Sequence, residues 1–182
     1  MKWLSSFTGL IPVALALPLL IFHLWAIATF VSGVSAIVVI AYHLRKGQSI
    51  TSLDWLSLGF ALLNVILYFG FHTAILFEYL DTAIYTLLLG QVIYAQILGE
   101  PWTIQYAKRS VPMERWSTPA FWKANQFITL IWGGCFLLCL ILSLTPGIGV
   151  WHVLLPVVLL IGTAILTPRL SVWYARRIVS QR

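Results

Sequence analysis

The sequence predicts an all-α fold, a polytopic membrane helix bundle with five or six spans, and three features carry that prediction. Apolar residues fill 60% of the 182 positions and charged ones only 9%, for a mean hydropathy of +0.94, whereas about a quarter of the residues in a soluble domain are charged. The apolar residues come in runs long enough to cross a bilayer, which takes roughly 20 of them as a helix. The eleven Lys and Arg gather between those runs. Too little polar sequence is left for a separate soluble domain, so residues 1–182 read as a single transmembrane helical domain. The net charge of +6 would suggest nucleic acid in a soluble chain. At span ends it fits membrane topology and anionic headgroups of the lipid bilayer instead, so no nucleic acid partner is expected.

Met1 to Leu20 has the make-up of a signal peptide, with Lys2, an apolar stretch and Ala14-x-Ala16. The apolar run continues to Ile40, so this first helix is expected to stay. Leu10 to Leu44 lacks any charged residue, and one helix of that length would measure roughly 50 Å against a bilayer core of about 30 Å. The run must therefore break. Pro12 and Pro18 weaken its first part, and His23, Trp25 and Ser32-Gly33 offer places to turn. A short first helix, fully or partly inserted, and a second from about Ala26 to His43 are expected; the count of five or six spans turns on this piece.

Arg45, Lys46 and Gly47 end the second helix, with glycine as its C-cap, and Thr51 or Ser52 can cap the next, with Asp54 in its first turn. The third span runs from about Leu53 to Phe69 and carries Asn64, an interhelical hydrogen-bonding residue. After an uncharged turn at residues 70–73, Glu78 and Asp81 stand three apart at the start of a span ending near Leu98, which puts them on one helix face. With His72 nearby they could bind a cation or relay protons if sunk in the bilayer; at a helix start, within reach of water, they need do neither. Tyr85, Gln91, Tyr94 and Gln96 make this the most polar span and suggest a place in the middle of the bundle.

Residues 99–123 form the one long polar passage between apolar runs, expected as a cytoplasmic interfacial segment. Gly99 stops a helix and Glu100-Pro101 restarts one. Trp102 and Tyr106, four apart, with Lys108 and Arg109 behind them, describe a short amphipathic surface helix near residues 101–109, aromatics toward the bilayer. Arg115 and Trp116 follow, and Thr118-Pro119 pairs a cap with proline at the first helical position of the fifth span. Trp122, Asn125, Gln126, Thr129 and Gly133 make a polar, small-residue stripe on that span that should face other helices. Cys135 and Cys139 lie within it as buried small hydrophobes. A second uncharged turn at residues 145–149 leads into a last span from about Val150 to Leu166, closed by Pro168-Arg169 and followed by a basic tail with Trp173 and Tyr174.

The turns at 45–46, 99–123 and beyond Arg169 hold the Lys and Arg, while those near 71–73 and 146–149 hold none. By the positive-inside rule the charged loops and the C-terminus are cytoplasmic. No internal repeat of the transporter kind is present.

The order of parts resembles the intracellular septation protein A family of bacterial inner membranes. The resemblance rests on Leu10-Ile11-Pro12, Leu44-Arg45-Lys46, Ile84-Tyr85 with Leu87, Pro101 with Ile104-Gln105, and Trp116 ahead of Asn125, Trp132 and Phe136. It implies a non-enzymatic role in cell-envelope maintenance or septum formation, through contacts with other membrane or division proteins, and it supplies no active-site residues.

Three function classes remain to be weighed. The first is a protein that works by contact, its interaction surface being Trp102, Tyr106, Lys108, Arg109, Arg115 and Trp116 with the basic tail. The second is a small transporter or channel whose polar path runs through Asn64, Glu78, Asp81, Tyr85, Gln91, Asn125 and Thr129. The third, a lipid-modifying membrane enzyme, is weakest. The four His (His23, His43, His72, His152) are scattered over different segments, with no metal-ligand spacing, nucleophile set or phosphate-cradling loop, so neither a metal nor another cofactor is expected.

Overall fold

A computed structural model describes residues 11–109, 111–146 and 151–180. The described residues are helices and turns with no strand, in the order α1 (Ile11–Ile21), α2 (Trp25–Arg45), α3 (Ser52–Val65) ending in a π-helical turn (Ile66–Gly70), α4 (Ile75–Glu78), α5 (Leu80–Ile97), α6 (Ile104–Ala107), a 3-10 turn (Met113–Arg115), α7 (Pro119–Leu144) and α8 (Trp151–Ser180). Five are long and apolar enough to cross a membrane: α2, α3 with its π turn, α5, α7 and α8. The protein is thus a multi-pass, all-α membrane protein. Expectations for Lys2 and the other residues before Ile11, for the turn beyond Pro146, for the His152 side chain and for Arg182 fall outside the described residues.

Two compact units divide the chain, residues 1–80 and 81–182. In unit 1, α1 packs on α2 and α2 on α3. The described part of α1, 11 residues, is about 16 Å long. The long apolar run breaks where expected, at His23, which takes a left-handed backbone conformation (φ 55°). Both faces of the α2–α3 hairpin follow a helical period: Thr29, Ser32, Ala36, Val39 and His43 are buried on α2, and Asp54, Ser57, Ala61 and Asn64 on α3. Small side chains at these positions let the two backbones approach.

In unit 2, α7 packs against α8 and against the short α6. It is the buried helix of the unit: 39% of its apolar stretch is buried, against 11% for α5 and 6% for α8. The polar α5, expected in the middle of the bundle, is the less buried partner of α7 in unit 2, with only Leu88 and Val92 buried along its length. Its exposed positions include apolar Leu87, Ile93 and Ile97, which a lipid environment accommodates at no cost. The last helix also departs from expectation, continuing through Pro168 to Ser180. One missing backbone donor, at Pro168, does not end this membrane helix, since a spanning helix tolerates an interior proline.

Candidate functional site

The passage from α5 to α7 turns inward. Gly99, at φ 74°, closes α5 in a Schellman arrangement, its N–H donating to the Gln96 carbonyl and that of Glu100 to the Ala95 carbonyl. Pro101, Trp102, Thr103 and Ile104 then run buried. The Trp102 indole N–H donates to Gln91 Oε1 at 3.1 Å, and its ring meets Tyr106, Phe136 and Trp132 edge-on at 5.1, 5.7 and 6.4 Å between centroids. Thr103 plugs the stripe on α7: its Oγ1 donates to the Asn125 carbonyl at 3.0 Å or to Asn125 Oδ1 at 3.1 Å, and its N–H donates to Thr129 Oγ1 at 3.2 Å. Asn125 completes the set by donating from Nδ2 to the Phe121 carbonyl at 2.8 Å.

This geometry corrects the surface-helix expectation. A helix is present near 101–109 but covers only Ile104–Ala107, and Trp102 is 5% exposed, facing its own unit rather than a bilayer surface. An indole pairs one polar N–H with a large apolar ring, and Gln91 and the α7 aromatics satisfy both needs inside the unit. Tyr106 is half-buried beside it.

The cationic part of the passage stays outside. Lys108 is exposed with its ammonium 5.4 Å from the Trp116 ring centroid, and Trp116 fixes the turn by donating from Nε1 to the Val111 carbonyl at 2.9 Å. Arg109 is half-buried, whereas Arg115 and Met113 are exposed. Thr118 caps α7 as expected, accepting from the Phe121 N–H, with Pro119 at the first position. A shallow cleft of about 430 Å³ opens here between Trp116, Ser117, Trp122 and Lys123.

Of the residues assigned to a polar path, Gln91, Asn125 and Thr129 gather around Trp102 and Thr103. Asn64, in unit 1, donates to the Phe60 carbonyl of its own helix at 3.0 Å. Glu78 and Asp81 do not share a helix face: α4 ends at Glu78, the chain turns at Tyr79, and Asp81 sits in the first turn of α5 accepting from the Thr82 N–H at 2.8 Å. A short helix can stop and restart within one turn, which sequence spacing alone does not reveal. Tyr85 is half-buried further along α5.

Sequence reasoning missed a second polar centre, in unit 1. His43 Nδ1 lies 3.0 Å from Asp54 Oδ2, with both side chains at most 1% exposed. The same oxygen accepts from the Thr51 N–H and Oγ1, each at 2.8 Å. Local sequence builds the pair. Gly47, at φ 64°, closes α2 in a second Schellman arrangement, and Thr51 with Asp54 forms a capping box at the start of α3. The available signal was the small-residue face of α2, whose steps of three and four from Thr29 end on His43. His23 and His72, the latter also left-handed (φ 53°), are exposed turn residues.

Comparison with protein families, curated proteins and solved structures finds no match to this chain.

Proposed function

We propose that this multi-pass membrane protein is a non-enzymatic bacterial inner-membrane protein, akin to intracellular septation protein A, acting in cell-envelope maintenance or septum formation by binding other membrane or division proteins. The observation that carries this reading is the exposed turn between α6 and α7. Lys108, Met113 and Arg115 are exposed there, Trp116 lies half-buried beside the Lys108 ammonium, and the Trp116–Val111 hydrogen bond ties the turn. Arg, Met and Trp are the residue types enriched where proteins meet, and a braced turn loses little conformational freedom on docking. On this reading the turn, residues 45–46 and the C-terminus face the cytoplasm. Trp102 supports the turn from within and is not part of the contact itself.

The transport alternative draws less support. Gln91, Asn125 and Thr129 spend their hydrogen bonds on Trp102 and Thr103, and Asn64 spends its own on backbone. The test is purification of the full chain from membranes in mild detergent. A stoichiometric protein partner should accompany the wild type and vanish from the K108A/R109A/R115A variant, while Glu78→Gln and Asp81→Asn retain it. Ion or proton flux in liposomes that disappears with Asp81→Asn would reverse the ranking.

A further inference from the structure

At one end of unit 2, α7 and α8 each carry cations beside an indole. Two contacts fix the antiparallel register of α7 and α8: Trp132 Nε1 donates to Thr167 Oγ1 at 3.1 Å, and the Phe127 and Tyr174 rings stack at 4.4 Å with 11° between their planes. Carried one turn further along both helices, that register brings Lys123 on α7 level with Arg176 and Arg177 on α8. Trp122 and Trp173 flank the same level, and the Arg177 guanidinium rests 5.7 Å from the Trp173 ring centroid. A second shallow hollow, of about 400 Å³, opens between Trp173, Arg176, Arg177 and Ser180.

Nothing on these helices neutralises the charge. After Glu114 the sequence contains no Asp or Glu at all, and among the described residues neither Lys123, Arg176 nor Arg177 has an ion-pair partner. The level is also that of a membrane boundary. With 30 residues α8 is about 45 Å long and must emerge from a core of about 30 Å. Indoles prefer the headgroup interface, and cations near it meet lipid phosphates.

We infer that this end of unit 2 is a binding surface for anionic phospholipid, headgroup phosphates being held by Arg176 and Arg177 beside Trp173 on α8 and by Lys123 beside Trp122 on α7. The three cations supply charge-assisted donors to phosphate oxygens, and the indoles cover the glycerol and upper acyl region. The inference does not rest on the contact function proposed above, whose turn lies ahead of α7, and either can fail alone.

Native mass spectrometry of the full chain, delipidated in mild detergent and offered phosphatidylglycerol or phosphatidylcholine with the same acyl chains, tests it. The wild type should retain phosphatidylglycerol in preference. Retention should fall on the order of a hundredfold in K123Q/R176Q/R177Q, three charges near an anionic surface being removed. The charge-keeping K123R/R176K/R177K and the unit 1 variant R45Q/K46Q should retain it. If the triple Gln variant does not fold, K123Q and R176Q singly should each give a partial loss. Equal retention of the two lipids by the wild type, or undiminished phosphatidylglycerol on the folded triple variant, overturns the inference. So does full competition by inorganic phosphate, which would mark a free-anion site, or loss of a protein partner from the triple variant with its lipid adducts intact.

Discussion

In unit 1 two of the buried polar groups, His43 and Asp54, form an ionisable pair, made by residues eleven apart across one tight turn. Those of unit 2 are neutral and join residues 22 and 26 apart, because the chain leaves α5, folds Trp102 and Thr103 inward, and only then enters α7. The two arrangements differ in what each partner would cost if stranded. A buried charge that loses its counterpart is far more expensive than a hydroxyl that loses one of several acceptors. Unit 1 therefore stakes more on one contact at the hairpin end than unit 2 does on any one of its hydrogen bonds.

That contrast can be broken experimentally. Asp54→Ala and His43→Ala should each destabilise the protein by about 3–5 kcal/mol, the cost of opening a buried pair, read as unfolding by denaturing detergent from mild micelles. A loss as small as that of the hydroxyl variant below would mean the pair contributes no more than neutral hydrogen bonds do.

In unit 2 the largest single effect should come from Gly133, where an added Cβ would sit 2.9 Å from Val92 Cγ1. Gly133→Val should cost about 1–3 kcal/mol by overpacking, and combining it with Val92→Ala should recover part of the loss. No recovery in that double variant would place the strain elsewhere than the α5–α7 approach.

Thr103→Val keeps the shape but removes the hydroxyl shared with Asn125 and Thr129; about 1–2 kcal/mol is expected in the same unfolding assay.

Helix ends were legible in the sequence because capping is local. Gly47, Gly99 and Thr118-Pro119 each close or open a helix by bonds within a few residues, so residue type at that spacing decides the outcome. The stripe of Asn125, Thr129 and Gly133 was legible for the same reason, as a period of one helix. The direction of Trp102 was not, because its spacing from Tyr106 suits a surface helix as well as an inserted one. Its true neighbours, Gln91, Trp132 and Phe136, lie on other helices.

By itself the sequence determined that the protein is a multi-pass helical membrane protein, where most helices begin and end, and which loops carry positive charge. Composition, hydrophobic run length and caps act over one helix or less, and one strand of text contains them whole. Only the tertiary structure decided that α7 and not α5 is the buried helix of unit 2, and that Glu78 and Asp81 part company at Tyr79. It also decided that His43 finds Asp54 and that the segment after Gly99 folds into its own unit. Each of these depends on whether a polar group meets its partner inside the fold or at its edge, and such a meeting is set by the packing of helices remote in sequence.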